Sequence, residues 1–393
     1  MTVVSMPRTR FSLWNVVFYS ILVTGLWVTF QRFYAGIGAV TNLSDAFPWG
    51  IWIGFDVMCG VGLAAGGFTL VAAVHIFNIE KYKPILRPAV LTAFLGYLLV
   101  IIGLMYDLGR PDRIWHPLIM WNPKSVMFEV GWCVTLYTTV LFLEFSPMVC
   151  ERMRWRTPLR WFRIISIPLM ILGVLLSTLH QSSLGSLFLL VPHKLDALWY
   201  TPYLPLFFFI SAIGVGLAMT IFESWHSSKA FNHRLDGSLL ESLGSVLAVV
   251  QSTYLAMRLM DLTHRHAWGL LAQARPENAF FILEMALIAA PVVLLFQSRV
   301  RNNARALYWA AVLVIMGFMT NRLNVGVTGI ETASGVTYIP KWTEVAVTLF
   351  IVAIGVGLFR LAVTYLPVFG THEAVATETE KVYSQGKVEA RAA

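Results

Sequence analysis

Ten long apolar runs separated by short polar stretches fix what this chain can become. They fall at about 12–34, 50–77, 85–108, 125–149, 163–187, 203–225, 238–263, 278–298, 305–326 and 342–366. Each is long enough to carry a helix across a hydrocarbon core of about 30 Å. Within a bilayer all backbone polar groups must be satisfied internally, which leaves helices or a closed barrel. Runs this long lack the short alternating strands of a barrel. The sequence therefore predicts an all-α integral membrane protein with about ten transmembrane helices. Its composition agrees: 57% of 393 residues are hydrophobic and 13% charged, which excludes an ordinary soluble domain. The first run follows Arg8 and Arg10 but is too long for a signal-peptide core, so it reads as an uncleaved helix.

The net charge of +8 lies in alternate loops rather than in a nucleic-acid patch. One set of loops holds Arg8 and Arg10, Lys81, Lys83 and Arg87, Arg152 to Arg163, Lys229 and Arg234, Arg299 to Arg305, and the tail residues Lys381, Lys387 and Arg391. The opposite set is poorer: Arg110, Arg113, Lys124, Lys194, Arg265, Arg275 and Lys341. The positive-inside rule puts both termini in the cytoplasm. Residues 1–369 read as one polytopic domain, and 370–393 as a flexible cytoplasmic tail. Trp115, Trp121, Trp199, Tyr200, Trp268, Tyr338 and Trp342 fall in the outward loops, as an interfacial aromatic belt would. Cys59, Cys133 and Cys150 lack metal-site spacing and read as buried thiols.

Gly-Val-Gly-Leu recurs at 60–63, 214–217 and 355–358. The first two copies are consistent with duplicated four-helix units, 50–187 and 203–326, giving two bundles plus flanking helices. Small residues that let helices approach account for the motif equally well.

Once the helices are threaded, Asp56, Glu129, His180, Arg258, Asp261, Glu284, Arg322 and Glu344 all fall toward the non-cytoplasmic side. Ionisable groups at such depth are costly and mark a site or a proton path. Pro48 suits the first turn of the second helix, and Asp56 follows about 12 Å further in. Asp56 is either functional or ion-paired with Arg258 or Arg322. Gly60, Gly62, Gly66 and Gly67 then admit another backbone or a flat ring. Asp107-Leu108-Gly109-Arg110-Pro111 ends the third helix as a cap, with Asp107 and Arg110 as a candidate pair, or as a docking point for a soluble partner. His180-Gln181-Ser182-Ser183 is a polar helix end or a cradle for a carbonyl-bearing, lipid-soluble ligand. Arg258 and Asp261 are spaced to pair on one face. Glu129, Glu284 and Glu344 must in part be neutral or bridged to arginine. A membrane haem needs axial ligands at matching depth. Only His75 and His180 lie within the apolar runs, at opposite ends, so no shared haem is expected.

Three stretches carry a resemblance: Phe47-Pro48-Trp49-Gly50 with Phe55-Asp56, Asp107-Leu108-Gly109-Arg110-Pro111 with Trp115, and His180-Gln181-Ser182-Ser183-Leu184-Gly185-Ser186. Over about residues 12–368 the chain resembles the NrfD/polysulfide-reductase membrane-subunit family, closest to its ten-helix HybB-type hydrogenase branch. The resemblance implies a haem-free subunit of a bacterial or archaeal cytoplasmic membrane that holds a menaquinone or other quinone near the periplasmic surface. It also implies a docked four-cluster ferredoxin-like iron–sulfur protein. That protein would link to a NiFe hydrogenase, a molybdenum enzyme, a sulfite-reductase-type or a multihaem cytochrome partner. Trp49, Asp56, His180, Gln181 and Arg258 would line the quinone pocket. Protons would pass through Asp56, Glu129, Glu284 and Glu344, with His180 on a quinone oxygen and no metal in this chain. The competing expectation is a secondary transporter using the same charges. A passive membrane anchor would not need them.

Overall fold

A computed structural model describes residues 13–368, except 191 and 232–236. The polar tail at 370–393 and the basic residues Arg8, Arg10 and Arg234 lie outside the described residues. All regular secondary structure among the described residues is helical, with no strand. Ten helices are long and apolar enough to cross a membrane: α1 Leu13–Ala35, α2 Trp52–Ile76, α3 Glu80–Asp107, α4 Val126–Met153, α5 Arg156–Leu187, α6 Leu204–Ala230, α7 Gly237–His264, α8 Pro276–Phe296, α9 Ala304–Ser334 and α10 Trp342–Tyr365.

The boundaries depart from the apolar runs where other forces extend the helix. α5 starts at Arg156, ahead of its run, with Arg156, Arg160 and Arg163 all exposed. Long basic side chains can reach polar surroundings while their stems cover apolar surface. α9 runs on to Ser334 through a wide π-helical turn at Asn324–Thr328, so much of the expected 327–341 loop is helix. Pro48 precedes α2 rather than sitting in its first turn. α2 itself is irregular, with π-helical stretches at Trp52–Val57 and Ala72–Ile76. Such wide turns rotate side chains out of ordinary helical register and recur at functional positions.

Helices α2 to α5 pack as one ring of four, and α6 to α9 as a second. The rings meet along α2, α5 and α6. α1 and α10 pack together and flank α3. We call the end where α1, α3, α5, α7 and α9 finish the upper end. There Arg32 donates from Nε to the Tyr106 carbonyl (2.7 Å) and from Nη2 to the Leu108 carbonyl (2.6 Å). These oxygens belong to the unsatisfied last turn of α3. Arg32 lies inside the first apolar run yet is absent from the eight charges picked out by sequence.

The α2 glycines serve helix packing rather than a ligand ring. A Cβ built on Gly62 would strike Phe318, and one on Gly60 would sit 2.8 Å from Val100. Gly216 of α6 lies so close to α2 that an added Cβ would be 2.8 Å from the Ala65 carbonyl carbon and the Gly66 nitrogen. Backbone meets backbone at this crossing, as small residues allow in membranes.

Candidate functional site

At the upper end, where the two rings meet, a cleft of about 310 Å³ opens among Trp49, Met127, Phe188, Leu195, Ile330 and Lys194. Its walls come from the segment before α2, the start of α4, the end of α5 and the end of α9. Trp49 stands edge-on to Phe188, with ring centroids 5.9 Å apart at 74°. A concave, mostly apolar slot with few polar groups is what a flat lipid-soluble ligand requires.

Two titratable groups lie on the helices beneath it. Glu129 sits half a turn past Met127 on α4 and accepts a 2.5 Å hydrogen bond from Ser183 Oγ of α5. His180, one turn deeper on α5, is wholly buried. Its Nδ1 shares a 2.8 Å hydrogen bond with the Tyr97 hydroxyl of α3, while Nε2 has no partner. An imidazole with one nitrogen fixed and the other open can exchange a proton at the open atom. Gln181 Nε2 donates to the Val61 carbonyl at 3.3 Å and ties α5 to α2. Eight residues separate His180 from Phe188, or about 12 Å along the helix axis. His180 therefore lies below the cleft and does not line it.

Asp56 occupies a different seam. The π-helical turn aims it at α3 and α10, where Oδ2 accepts from Thr348 Oγ1 at 2.9 Å. It makes no ion pair with Arg258 or Arg322, contrary to one sequence expectation. Gly103 opposes it, since a Cβ there would lie 3.0 Å from the Asp56 Cβ. One turn above Gly103 on α3, Asp107 has a buried Oδ1 without a hydrogen bond. Asp107 does not pair with Arg110, because Arg110 turns outward to Asp112 (3.0 Å). That exposed contact holds the Asp112 carboxyl below its ordinary range, chiefly through the hydrogen bond from Arg110.

The remaining acids are locked. Glu284 is wholly buried and surrounded by donors. Its Oε1 accepts from Arg258 Nη2 (3.1 Å) and Asn321 Nδ2 (2.8 Å), and its Oε2 from Trp199 Nε1 (2.7 Å) and Asn324 Nδ2 (2.9 Å). Arg258 thus pairs with Glu284, not with Asp261 one turn away. Asp261 instead binds Arg265 (2.8 Å) and the Thr201 hydroxyl (2.7 Å). Arg322 donates to Ser211 Oγ (2.8 Å) and the Phe208 carbonyl (3.1 Å), and lies 3.5 Å from the Phe208 ring centroid. Glu344 caps α10: Oε1 accepts from the Asn42 and Lys341 amides (2.7 and 3.3 Å), and Oε2 from the Tyr338 hydroxyl. Burial pushes the Tyr338 hydroxyl well above its ordinary titration range.

Of the sequence-predicted site residues, the structure brings Trp49 to the cleft and Glu129, His180 and Gln181 to the helix faces below it. Asp56 is on another seam, Arg258 and Glu284 are in the second ring, and Glu344 is a helix cap. Tyr97, Thr348 and Phe188 escaped the sequence reading because nothing in an apolar run marks one tyrosine or threonine as a partner. Two expected belt aromatics are internal: Trp199 and Tyr338 are buried, whereas Trp115, Trp121, Trp268 and Trp342 are exposed. The three cysteines are buried and free. α6 extends past its run, so His226 joins His75 and His180 within a spanning helix, where it bonds the Tyr308 hydroxyl at 3.1 Å. Among the described residues no cluster of three or more His, Cys, Asp or Glu side chains forms a metal site.

The sequence matches the family described as polysulphide reductase, NrfD, over residues 39–334. The chain belongs to that family. Among similar proteins, one from Nitratidesulfovibrio vulgaris is 40% identical over 369 residues, covering 91% of this chain and 95% of the relative. The probable Ni/Fe-hydrogenase 2 b-type cytochrome subunit of Escherichia coli is 32% identical over 358 residues, covering 90% and 91%. The menaquinone reductase integral membrane subunit of N. vulgaris is 27% identical over 390 residues, covering 92% of each. Ten spanning helices and this family together make the chain a multi-pass integral membrane subunit.

Proposed function

We propose that this subunit exchanges electrons between a docked iron–sulfur protein and the menaquinone pool, with linked proton transfer. The observation that carries the reading is the aromatic-walled cleft at Trp49 and Phe188, set above a buried imidazole whose Nε2 is unpartnered. A quinone supplies the two-electron chemistry when bound. Trp49 and Phe188 position its ring and exclude water. Glu129, held by Ser183, is the nearer group and exchanges the protons the quinone oxygens gain or lose, and His180, held by Tyr97, hands protons on from below the cleft. The upper end faces the periplasm, following the poverty of Lys and Arg in its loops. A four-cluster ferredoxin-like subunit, itself joined to a catalytic subunit such as a NiFe hydrogenase, docks there within tunnelling reach of the cleft.

The test uses the assembled complex with a short-chain menaquinone. Trp49→Leu should raise KM for quinone. Glu129→Gln and His180→Ala should each lower quinone turnover by about 10²-fold or more, the usual contribution of a positioned proton donor, while the complex still assembles. Normal turnover in both of the latter removes the site. The cytochrome name of the E. coli relative makes haem the competing cofactor. Electron transfer without a haem in this chain requires that the purified subunit give no b-type pyridine haemochrome band, and such a band would overturn that part of the reading.

A further inference from the structure

Basic side chains at the lower end differ in what they touch. Lys83 pairs with Glu80 (2.6 Å) and Arg87 with Glu151 (2.9 Å). Lys81 reaches the Ser238 carbonyl (2.9 Å), Arg152 the Tyr365 carbonyl (2.9 Å) and Arg301 the Leu295 carbonyl (2.6 Å). Arg156, Arg160 and Arg163, in the first turns of α5, are exposed, and their guanidinium groups have neither an ion pair nor a hydrogen bond among the described residues. Spaced four and three residues apart, they share one face of the helix. Their position is electrostatically unfavourable. The N-terminal end of a helix is already positive, the first turn of α5 has no acidic residue, and its N-cap Trp155 offers no side-chain hydrogen bond. α9 begins differently, with the Asn303 side chain accepting from the Arg305 and Ala306 amides. Orienting the chain calls for basic residues at this end, but not for three on one face of one helix.

The arginine face continues upward as an apolar strip. Ile164, Ile167, Ile171 and Leu175 follow it along α5, and all four are exposed. From Ile164 to Leu175 the strip rises about 16 Å, close to one leaflet of a hydrocarbon core of about 30 Å. Trp155 and Trp161 are exposed at the level of the arginines, where indoles sit at a membrane interface. On the adjoining face of α5, Phe162, Ser166 and Met170 line a cavity of about 140 Å³ together with Arg87 and Glu144. Arg87 is engaged with Glu151 and the Pro367 carbonyl, and Glu144 is the acid of the cavity, its buried Oε1 without a hydrogen bond. A carboxyl so placed opposes an anion, so negative charge is drawn to the outer arginine face and not into the cavity.

We propose that Arg156, Arg160 and Arg163 bind the phosphate of an anionic phospholipid whose acyl chains lie along Ile164, Ile167, Ile171 and Leu175. Guanidinium groups match phosphate oxygens in geometry and keep their charge at an interface, and basic surfaces at this end of membrane helices attract anionic headgroups. A free phosphate ion would meet the arginines alone. The strip that continues from them is matched by a lipid, with charge at the level of Arg163 and hydrocarbon above it. Bound there, the lipid supplies the negative charge that the start of α5 lacks and fixes the depth of that helix. The site is separate from the cleft, and it does not depend on what the cleft binds.

The experiment takes the native complex, stripped of lipid in a neutral detergent, and follows its thermal unfolding midpoint during titration with dioleoyl phosphatidylglycerol. Dioleoyl phosphatidylcholine and inorganic phosphate are titrated in parallel. Phosphatidylglycerol should raise the midpoint and saturate, whereas the other two should leave it in place. Each arginine beside an anionic lipid counts for about a fivefold change in binding. Half-saturation in the triple variant Arg156→Gln, Arg160→Gln, Arg163→Gln should therefore move up on the order of 10²-fold. The double variant Arg299→Gln, Arg305→Gln removes exposed arginines from another part of the lower end and should titrate as wild type. Equal rises with the two lipids overturn the proposal, as does a rise with phosphate that matches phosphatidylglycerol. A wild-type titration in the triple variant, or an equal loss in the double variant, overturns it as well. If the triple variant does not assemble, native mass spectrometry of the wild-type complex decides. Retention of phosphatidylglycerol at collision energies that strip phosphatidylcholine supports the site, and equal loss of both refutes it.

Discussion

Arg258 and His180 are both buried, polar and at the same end of the bundle, yet their surroundings differ. Arg258 meets Glu284 at 3.1 Å, and that carboxylate is further held by Trp199, Asn321 and Asn324. With four donors on two oxygens, Glu284 has nowhere to accept or pass a proton during turnover. Removing one partner of a buried pair costs about 3–5 kcal/mol, because the other charge is left without compensation. Arg258→Ala should therefore lower the thermal unfolding midpoint in detergent sharply, while quinone turnover per folded molecule stays close to wild type. A selective rise in KM for quinone would instead return Arg258 to the pocket. His180 has one filled and one open nitrogen. Tyr97→Phe should therefore impair turnover at a stability cost of about 1–3 kcal/mol, the penalty for leaving one buried neutral nitrogen unsatisfied, smaller than that of Arg258→Ala. Sequence could identify both residues as expensive, because a charge or imidazole in an apolar run is visible by itself. It could not tell lock from relay, because that distinction depends on partners from distant helices such as Asn321 and Tyr97.

The ten helices themselves were legible, since bilayer thickness dictates their length and hydrophobicity, although α5 begins at Arg156 and α9 ends at Ser334, well outside their apolar runs. Their irregularities were not. Nothing in Trp52–Val57 announces a π-helical turn, yet that turn aims Asp56 at Thr348 of α10 rather than at the arginines. The recurring Gly-Val-Gly-Leu left packing and duplication equally open, and contact geometry supplies a packing role. Gly216 is the sharpest case, because its neighbours Ala65 and Gly66 present backbone that cannot rotate away. Gly216→Ala should cost about 1–3 kcal/mol, the range for overpacking a tight interior, read as a lower unfolding midpoint. Gly269→Ala, where an added Cβ meets nothing within 4 Å, serves as the control and should leave the midpoint unchanged. Equal behaviour of the two variants would mean that α2 and α6 do not approach as closely as described.

At the scale of the whole molecule, the cleft with Trp49 lies at the upper end and the cavity with Glu144 opens at the lower end. The function of this arrangement depends on which way the bundle is threaded. Basic residues are concentrated in the lower loops, and that asymmetry predicts the lower end in the cytoplasm and the cleft toward the periplasm. The prediction can be read from single cysteines, since the native Cys59, Cys133 and Cys150 are all buried and should contribute little background. Asp112 belongs to the upper loop between α3 and α4 and is 59% exposed. Trp155 belongs to the lower loop between α4 and α5 and is 52% exposed. On intact spheroplasts a membrane-impermeant maleimide should modify Asp112→Cys and spare Trp155→Cys, and permeabilising the membrane should expose both. The reverse pattern would turn the molecule over. The cleft would then open to the cytoplasm, and the iron–sulfur partner would have to be cytoplasmic.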